Sequence, residues 1–450
     1  MMRFLLLFSF FLSYFSMFSQ TEITGIIADM SDRPNEQVVI EYWNEDSWKQ
    51  LTTTPIALGK FKVTVNWPVN GQYRIRISTR PRNWSDFIVV KESMPKSMMF
   101  QCSVNQLNNE PSTEFKDDEN LAYQAFAKIY NPFFSGRDSV DKRNMAHLRS
   151  ELSMIERLQE IKKTHPNSFT SKFIIPVASL PIAPEWQNSN PSTDSIFQFN
   201  KIHALDNWPF ESTEIMHHQA IVRSLNQYYY YFREDSSADQ YIDKVLARSM
   251  ANEPLNTFLF RFTLEKMLDY KNENGLTYLL TWYAPDCSDN ESLSSNTKNL
   301  ILALENCKPG NTFPNLVLPD LAGNRIDLHQ LTKKNKVTIV MFWRSNCNHC
   351  AEFEPLLQSI YAKYKSMGVE VYAIGSDKEE ADWRKKATEQ NAPWKSVFLS
   401  YDSRKDFSKK YPVPSTPTLI AIDANGKVLR RLIMRSKLEI ALDEMLELIK

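Results

Sequence analysis

A predominantly apolar run, Val337–Trp343, is followed four residues later by Cys347-Asn348-His349-Cys350, and helical periodicity begins there. A run of that length bounded by a polar turn reads as a fully buried strand. Two thiols separated by two residues at the first turn of the next helix can close and reopen a disulfide without large backbone movement. The strand-then-helix setting distinguishes a dithiol redox pair from a chance spacing.

The 450-residue length allows about three domains. Lys+Arg and Asp+Glu balance at 53 each, so no basic excess is available to hold nucleic acid. The first residues differ from the rest. Arg3 precedes a mostly apolar stretch to Phe18, then Ser19-Gln20. Residues 1–19 therefore read as a secretory signal, with an uncleaved N-terminal membrane anchor as the alternative. The expected location is the periplasm, where disulfides persist. Five cysteines leave at least one unpaired within the chain. Cys287 and Cys307 flank a helical stretch and either staple it or are buried free thiols; Cys102 has no assigned role.

The hydrophobic period changes twice along the chain. Residues 20–105 alternate with period two: Phe61, Val63 and Val65 against Lys60, Lys62 and Thr64, then Tyr73, Ile75 and Ile77 against Arg74 and Arg76. This predicts an antiparallel all-β sandwich of about seven strands with a binding or docking role. Residues 118–307 have helical period and predict an α-helical middle domain, broken over Ile182–Ser195. Residues 309–450 predict an α/β domain. Its expected elements are a hairpin over Leu316–Leu318 and Arg325–Leu328, strand Val337–Trp343, helix His349–Met367, strand Val369–Ile374 and helix Glu379–Gln390. Strand Ser396–Leu399, helix Arg404–Tyr411, strands Thr418–Ile422 and Val428–Ile433, and helix Lys437–Ile449 follow. Alternation closed by a hairpin implies a mixed sheet covered on both faces.

Tyr228–Tyr231 point all round a helix and read as packing. His203, His217 and His218 lack carboxylate or cysteine partners at ligand spacing, so no metal is expected there, and no cofactor anywhere. Zinc at the dithiol would need a second ligand pair that the chain does not offer. A peroxidase of the peroxiredoxin type needs a threonine three residues before its reactive cysteine; Arg344 and Cys347 occupy those positions.

Cys347, at the helix N-terminus, meets unpaired N–H groups and the positive end of the macrodipole, which favour a thiolate. Cys350 falls one turn in, more buried, and suits resolution of a mixed disulfide. Far along the chain, Pro417 directly precedes a predicted strand. A proline there removes a backbone donor and, if cis, forces a tight turn that can lie against Cys347; Thr416 then offers its backbone to an extended substrate segment.

Trp343, the Cys347–Cys350 pair and Thr416-Pro417 resemble the thioredoxin superfamily. With Phe313-Pro314-Asn315-Leu316, Asp320, Gly323 and Pro417–Asp423, they resemble its exported bacterial thiol-disulfide oxidoreductase branch of the TlpA/ResA type, over residues 309–450. The resemblance implies that Cys347 is the nucleophile, Cys350 the resolving thiol and Pro417 a cis-proline. It implies exchange of disulfides with envelope proteins and with a membrane or periplasmic redox partner.

Two departures bear on direction. Met341 stands where thioredoxin carries a buried aspartate, and Phe353 where the TlpA/ResA pattern has a glutamate. Glu354, one turn beyond Cys350, either ferries a proton or is a solvated helix charge. His349 and Phe353-Glu354 are similar to the oxidase DsbA, in which histidine stabilises the thiolate. Reduction is the expected direction, with a DsbA-like oxidase or isomerase as the alternative; a ligand-binding envelope protein with a sensor dithiol is the other reading.

Overall fold

The computed structural model describes residues 20–27, 35–102, 117–135, 145–181, 183, 192–232, 238–284, 293–400, 407 and 409–449. The expected signal segment and Cys287 lie outside them. The chain divides into two compact units, Met1–Phe232 and Arg233–Lys450. The division falls inside the helical stretch that the sequence presents as one domain.

In the first unit, period-two alternation builds β1 (Gln20–Ile27), β2 (Gln37–Asn44), β3 (Ser47–Pro55), β4 (Lys60–Asn66), β5 (Gly71–Ile77), β6 (Arg80–Val89) and β7 (Ser97–Cys102). They form a three-stranded sheet, β4-β1-β7, and a four-stranded sheet, β3-β2-β5-β6. Inward residues of both, including Ile23, Phe61, Phe100, Ile40, Tyr73 and Phe87, share one apolar cluster. The pairing is not wholly antiparallel as expected, because β1 and β7 run parallel. Alternation specifies a strand's buried face and carries no information about its direction. Here β4 takes one edge of β1, and the chain returns to the other edge only after passing through the second sheet.

Helices α1 (Asp118–Ser135), α2 (Met145–Thr164), α3 (Ile175–Ala178), α4 (Thr193–His203) and α5 (Ala220–Tyr231) complete this unit. The Asn120 side chain accepts from the Ile88 amide at 2.8 Å and donates to its carbonyl at 3.0 Å, which docks α1 on β6. Tyr228, Tyr229 and Tyr231 are buried, as a packing role requires.

The second unit begins with α6 (Ala238–Ser249), α7 (Glu253–Asp269), α8 (Glu273–Tyr283) and α9 (Ser295–Asn306). Then follow β8 (Val317–Pro319), β9 (Arg325–Asp327), α10 (Leu328–Thr332), β10 (Val337–Trp343), α11 (Asn348–Tyr364), β11 (Val369–Gly375), α12 (Glu380–Gln390) and β12 (Lys395–Phe398). The last elements are β13 (Thr418–Asp423), β14 (Val428–Arg430) and α13 (Leu438–Leu448). Five strands form a mixed sheet in the order β12-β11-β10-β13-β14. β10 pairs parallel with β11 and antiparallel with β13.

Every residue of β10 is buried, and the pleat deals its side chains to two cores. Ile339, Met341 and Trp343 join α11 and α13 through Phe353, Leu357 and Leu442. Val340 and Phe342 face Phe313, Phe407 and Tyr411 on the other side. Each fully buried Phe or Leu contributes about 1.5–3 kcal/mol of apolar transfer, so the two cores hold the sheet rigid beneath the cysteines. At the end of β11 the Trp383 indole lies against Gly375 and leaves no room for a β-carbon.

Two expected elements differ. The strand predicted over Val428–Ile433 stops at Arg430, because Leu432 turns the chain with φ +54°. The helix predicted over Arg404–Tyr411 falls largely outside the described residues, though Phe407 and Tyr411 are buried with rings stacked at 4.2 Å.

Candidate redox site

Cys347 is the N-cap of α11, with extended backbone, φ −92° and ψ 105°. Its Sγ accepts from the Cys350 amide at 3.1 Å, so the sulfur takes one of the donors that a helix start leaves unpaired. Cys347 and Cys350 form a disulfide. Cys347 is half-buried, whereas Cys350 is only 7% exposed. An incoming sulfur therefore reaches Cys347 first.

Thr416-Pro417 is a cis peptide, and the Thr416 carbonyl oxygen lies 3.4 Å from Cys347 Sγ. The turn is pinned by Thr418, whose hydroxyl donates to the Ser415 carbonyl at 2.6 Å. Sequence-distant residues Cys347, Cys350, Thr416 and Pro417 thus meet at one end of the sheet. They meet because β10 and β13 are antiparallel neighbours: the end of β10 lies beside the start of β13.

His349 and Glu354 are engaged elsewhere. The His349 side chain is exposed, and its Nδ1 lies 3.2 Å from Glu352. Glu354 accepts from Gln358 at 3.3 Å and from Gln390 on α12 at 2.8 Å. Its polar contacts tie α11 to α12. Met341 and Phe353 are buried in the apolar cluster.

Cys307 is a free, buried thiol whose Sγ lies 3.4 Å from the Lys410 carbonyl oxygen. Of the two readings offered for it, the structure has the buried thiol. Burial pushes its pKa up to about 12. In the first unit His217 and His218 are both buried. Among the described residues no group of three His, Cys, Asp or Glu side chains is placed to hold a metal ion.

Sequence reasoning missed two neighbours. Asp377, 5% exposed, accepts from the Ser345 amide at 2.9 Å and from its hydroxyl at 2.6 Å, fixing the loop that leads into Cys347. The available signal was Gly375-Ser376-Asp377 at the end of a strand parallel to β10, since parallel neighbours bring their following loops together. The second is Lys271, whose Nζ donates to the Pro417 carbonyl at 3.3 Å. Nothing in its polar turn marks it.

A buried-strand-to-helix dithiol facing a cis-proline turn on a mixed, two-faced sheet defines a thioredoxin-like thiol-disulfide oxidoreductase. A family model described as the AhpC/TSA family matches residues 309–431. The thiol-disulfide oxidoreductase ResA of Bacillus cereus is 30% identical over 129 residues, 29% of this chain and 72% of that protein. The ResA of Bacillus subtilis is 33% identical over 128 residues, 28% of this chain and 68% of that protein. The chain belongs to this ResA family, and it is an enzyme of that class. Among solved structures, a thioredoxin domain of a Bacteroides vulgatus thiol-disulfide oxidoreductase is 28% identical with a TM-score of 0.29, covering 31% of this chain and 97% of that one. A thioredoxin-like protein of Bacteroides caccae is 18% identical with a TM-score of 0.41, covering 60% of this chain and 98% of that one.

Proposed function

We propose that the protein is an exported reductase that opens disulfides in envelope proteins, with Cys347 as nucleophile and Cys350 as resolving thiol. The observation that carries this reading is the unequal setting of the two sulfurs: Cys347 caps α11 at the surface, and Cys350 lies buried behind it. A thiolate at Cys347 gains from the Cys350 N–H and the helix end. Thr416 and Pro417 present backbone beside that sulfur, where an extended substrate segment would pair.

The surroundings of His349 favour reduction over oxidation. Its imidazole is exposed and shared with Glu352, so solvent and a carboxylate screen whatever charge it carries. A histidine that strongly stabilised the thiolate would sit desolvated against it. The composition of residues 1–19 supports export to the periplasm, a compartment that suits an enzyme whose substrates hold disulfides. The two N-terminal sheets, sharing one apolar cluster, are read as a sandwich that docks partners.

The purified chain is expected to reduce insulin in the presence of dithiothreitol, and Cys347→Ser to abolish that turnover; undiminished turnover in the variant would sink the enzyme mechanism. Equilibration against glutathione buffers decides direction. A potential near about −270 mV supports a reductant, and one near about −120 mV supports an oxidant instead.

A further inference from the structure

The turn between α7 and α8 reaches the redox site. Lys271 sits there with φ +51°, a left-handed conformation that its β-carbon disfavours and that only the surroundings can hold. Those surroundings are specific. The Lys271 and Asn272 amides close α7 onto the carbonyls of Leu268 and Met267, and Asn272 caps α8 by accepting from Gly275 at 2.9 Å. The next residue, Glu273, accepts from Arg431 Nε at 2.8 and 3.0 Å.

We propose that Lys271 is a positioning residue of the redox site, anchoring the Thr416-Pro417 segment and stabilising the Cys347 thiolate. The inference rests on Cys347 being the nucleophile. Lys271 Nζ holds the Pro417 carbonyl at 3.3 Å, and the adjacent carbonyl, that of Thr416, lies 3.4 Å from Cys347 Sγ. The charged groups that line one hollow with Lys271 are Glu352 on α11, Arg435 before α13 and Asp269 on α7. Glu352 is shared between His349 at 3.2 Å and Arg435 at 3.9 Å. Asp269 is paired with Lys266 at 3.2 Å, and Asp377 accepts from Ser345. Among the described residues no carboxylate pairs with Lys271, and burial, then Arg435, hold its pKa below the ordinary lysine value.

In the reduced pair Cys347 carries a thiolate and Cys350 a thiol. The Cys347 thiolate attacks one sulfur of a substrate disulfide; that S–S bond breaks, and the leaving sulfur takes a proton from water. Cys350 gives its proton to water and attacks Cys347 Sγ; the Cys347–Cys350 bond forms, the mixed disulfide breaks, the second substrate sulfur leaves as a thiolate that takes a proton from water, and two electrons have passed to the substrate. Lys271 acts before the first attack by raising the thiolate fraction.

The test compares the full-length chain with Lys271→Met, Lys271→Gln and Lys271→Arg. Alkylation of the reduced protein by iodoacetamide is followed against pH, sites are assigned by mass spectrometry, and folding is checked by thermal melting. Both neutral variants are expected to raise the Cys347 midpoint by about half a unit or more and to move the glutathione equilibrium about threefold toward the disulfide; Lys271→Arg restores both. Gln keeps an N–H donor, so a shift in Gln as well as Met assigns the effect to charge and not to the anchor. An unchanged midpoint in folded neutral variants, with Cys347 still alkylated first in the parent chain, overturns the role of Lys271. Alkylation of Cys350 first in the parent chain overturns the nucleophile assignment, and this inference with it.

Discussion

The three described cysteines of the second unit share a chemistry and differ in what surrounds the sulfur. Cys347 takes an N–H donor at a helix start, and Cys350 lies one turn inside with 7% exposure. Cys307, on the opposite face of the sheet, has its pKa pushed to about 12 by burial. A thiol with so little thiolate at neutral pH is inert toward alkylation. In the reduced, folded protein at pH 8, iodoacetamide is expected to label Cys347 within minutes and leave Cys307 unmodified until denaturant is added. Mass mapping checks this, and early labelling of Cys307 would show that its core opens. Cysteine spacing made the Cys347–Cys350 pair legible, because proximity along a helix follows from proximity in sequence. Cys307 was not legible, since its burial depends on Phe313, Tyr411 and other residues that only the fold assembles around it.

Among the elements, β10 and α11 are written locally. A predominantly apolar run and a cysteine at a helix start are short-range instructions, and the structure follows them closely. The tie between α8 and the sheet is not local. Arg431, 1% exposed just after β14, is paired with Glu273 at the start of α8 and also donates to the Leu304 carbonyl on α9. Removing one partner of a buried pair leaves a charge without compensation, which typically costs about 3–5 kcal/mol. Glu273→Ala is expected to lose about 3 kcal/mol in urea unfolding, and Arg431→Met combined with it to recover part of that loss. A loss under about 1 kcal/mol would show that water reaches the guanidinium. The same non-locality explains the early end of β14: an expected strand through Ile433 gives way where Leu432 adopts φ +54° and Arg431 turns inward.

At the scale of the molecule, buried ionisable groups also shape stability in the first unit. His217 is 8% exposed, and burial, with Lys91 nearby, brings its pKa down to about 4. Unfolding would return it to about 6.5, so the unfolded chain binds a proton that the folded chain refuses. Stability from this group is complete above pH 6.5 and is lost as pH falls toward 4, amounting to about 3 kcal/mol. His218, wholly buried, is shifted in the same direction. In urea unfolding of the full chain, the fall in stability between pH 7 and pH 4.5 is expected to be smaller by about 2–3 kcal/mol in His217→Gln. An equal fall in both proteins would mean that His217 is solvated.

The amino-acid order by itself determined the three compositional regions, the buried strand, the capped helix and the dithiol, because each depends on periodicity or spacing within a few residues. It also marked Pro417, since a proline ahead of a strand is a local sign. Tertiary structure alone decided that β7 runs parallel to β1, that Asp377 clamps the loop before Cys347, and that Lys271 stands over the Pro417 carbonyl. Those relations join residues tens to more than a hundred positions apart. Their partners are chosen by which faces share a core, and no short-range pattern records that choice.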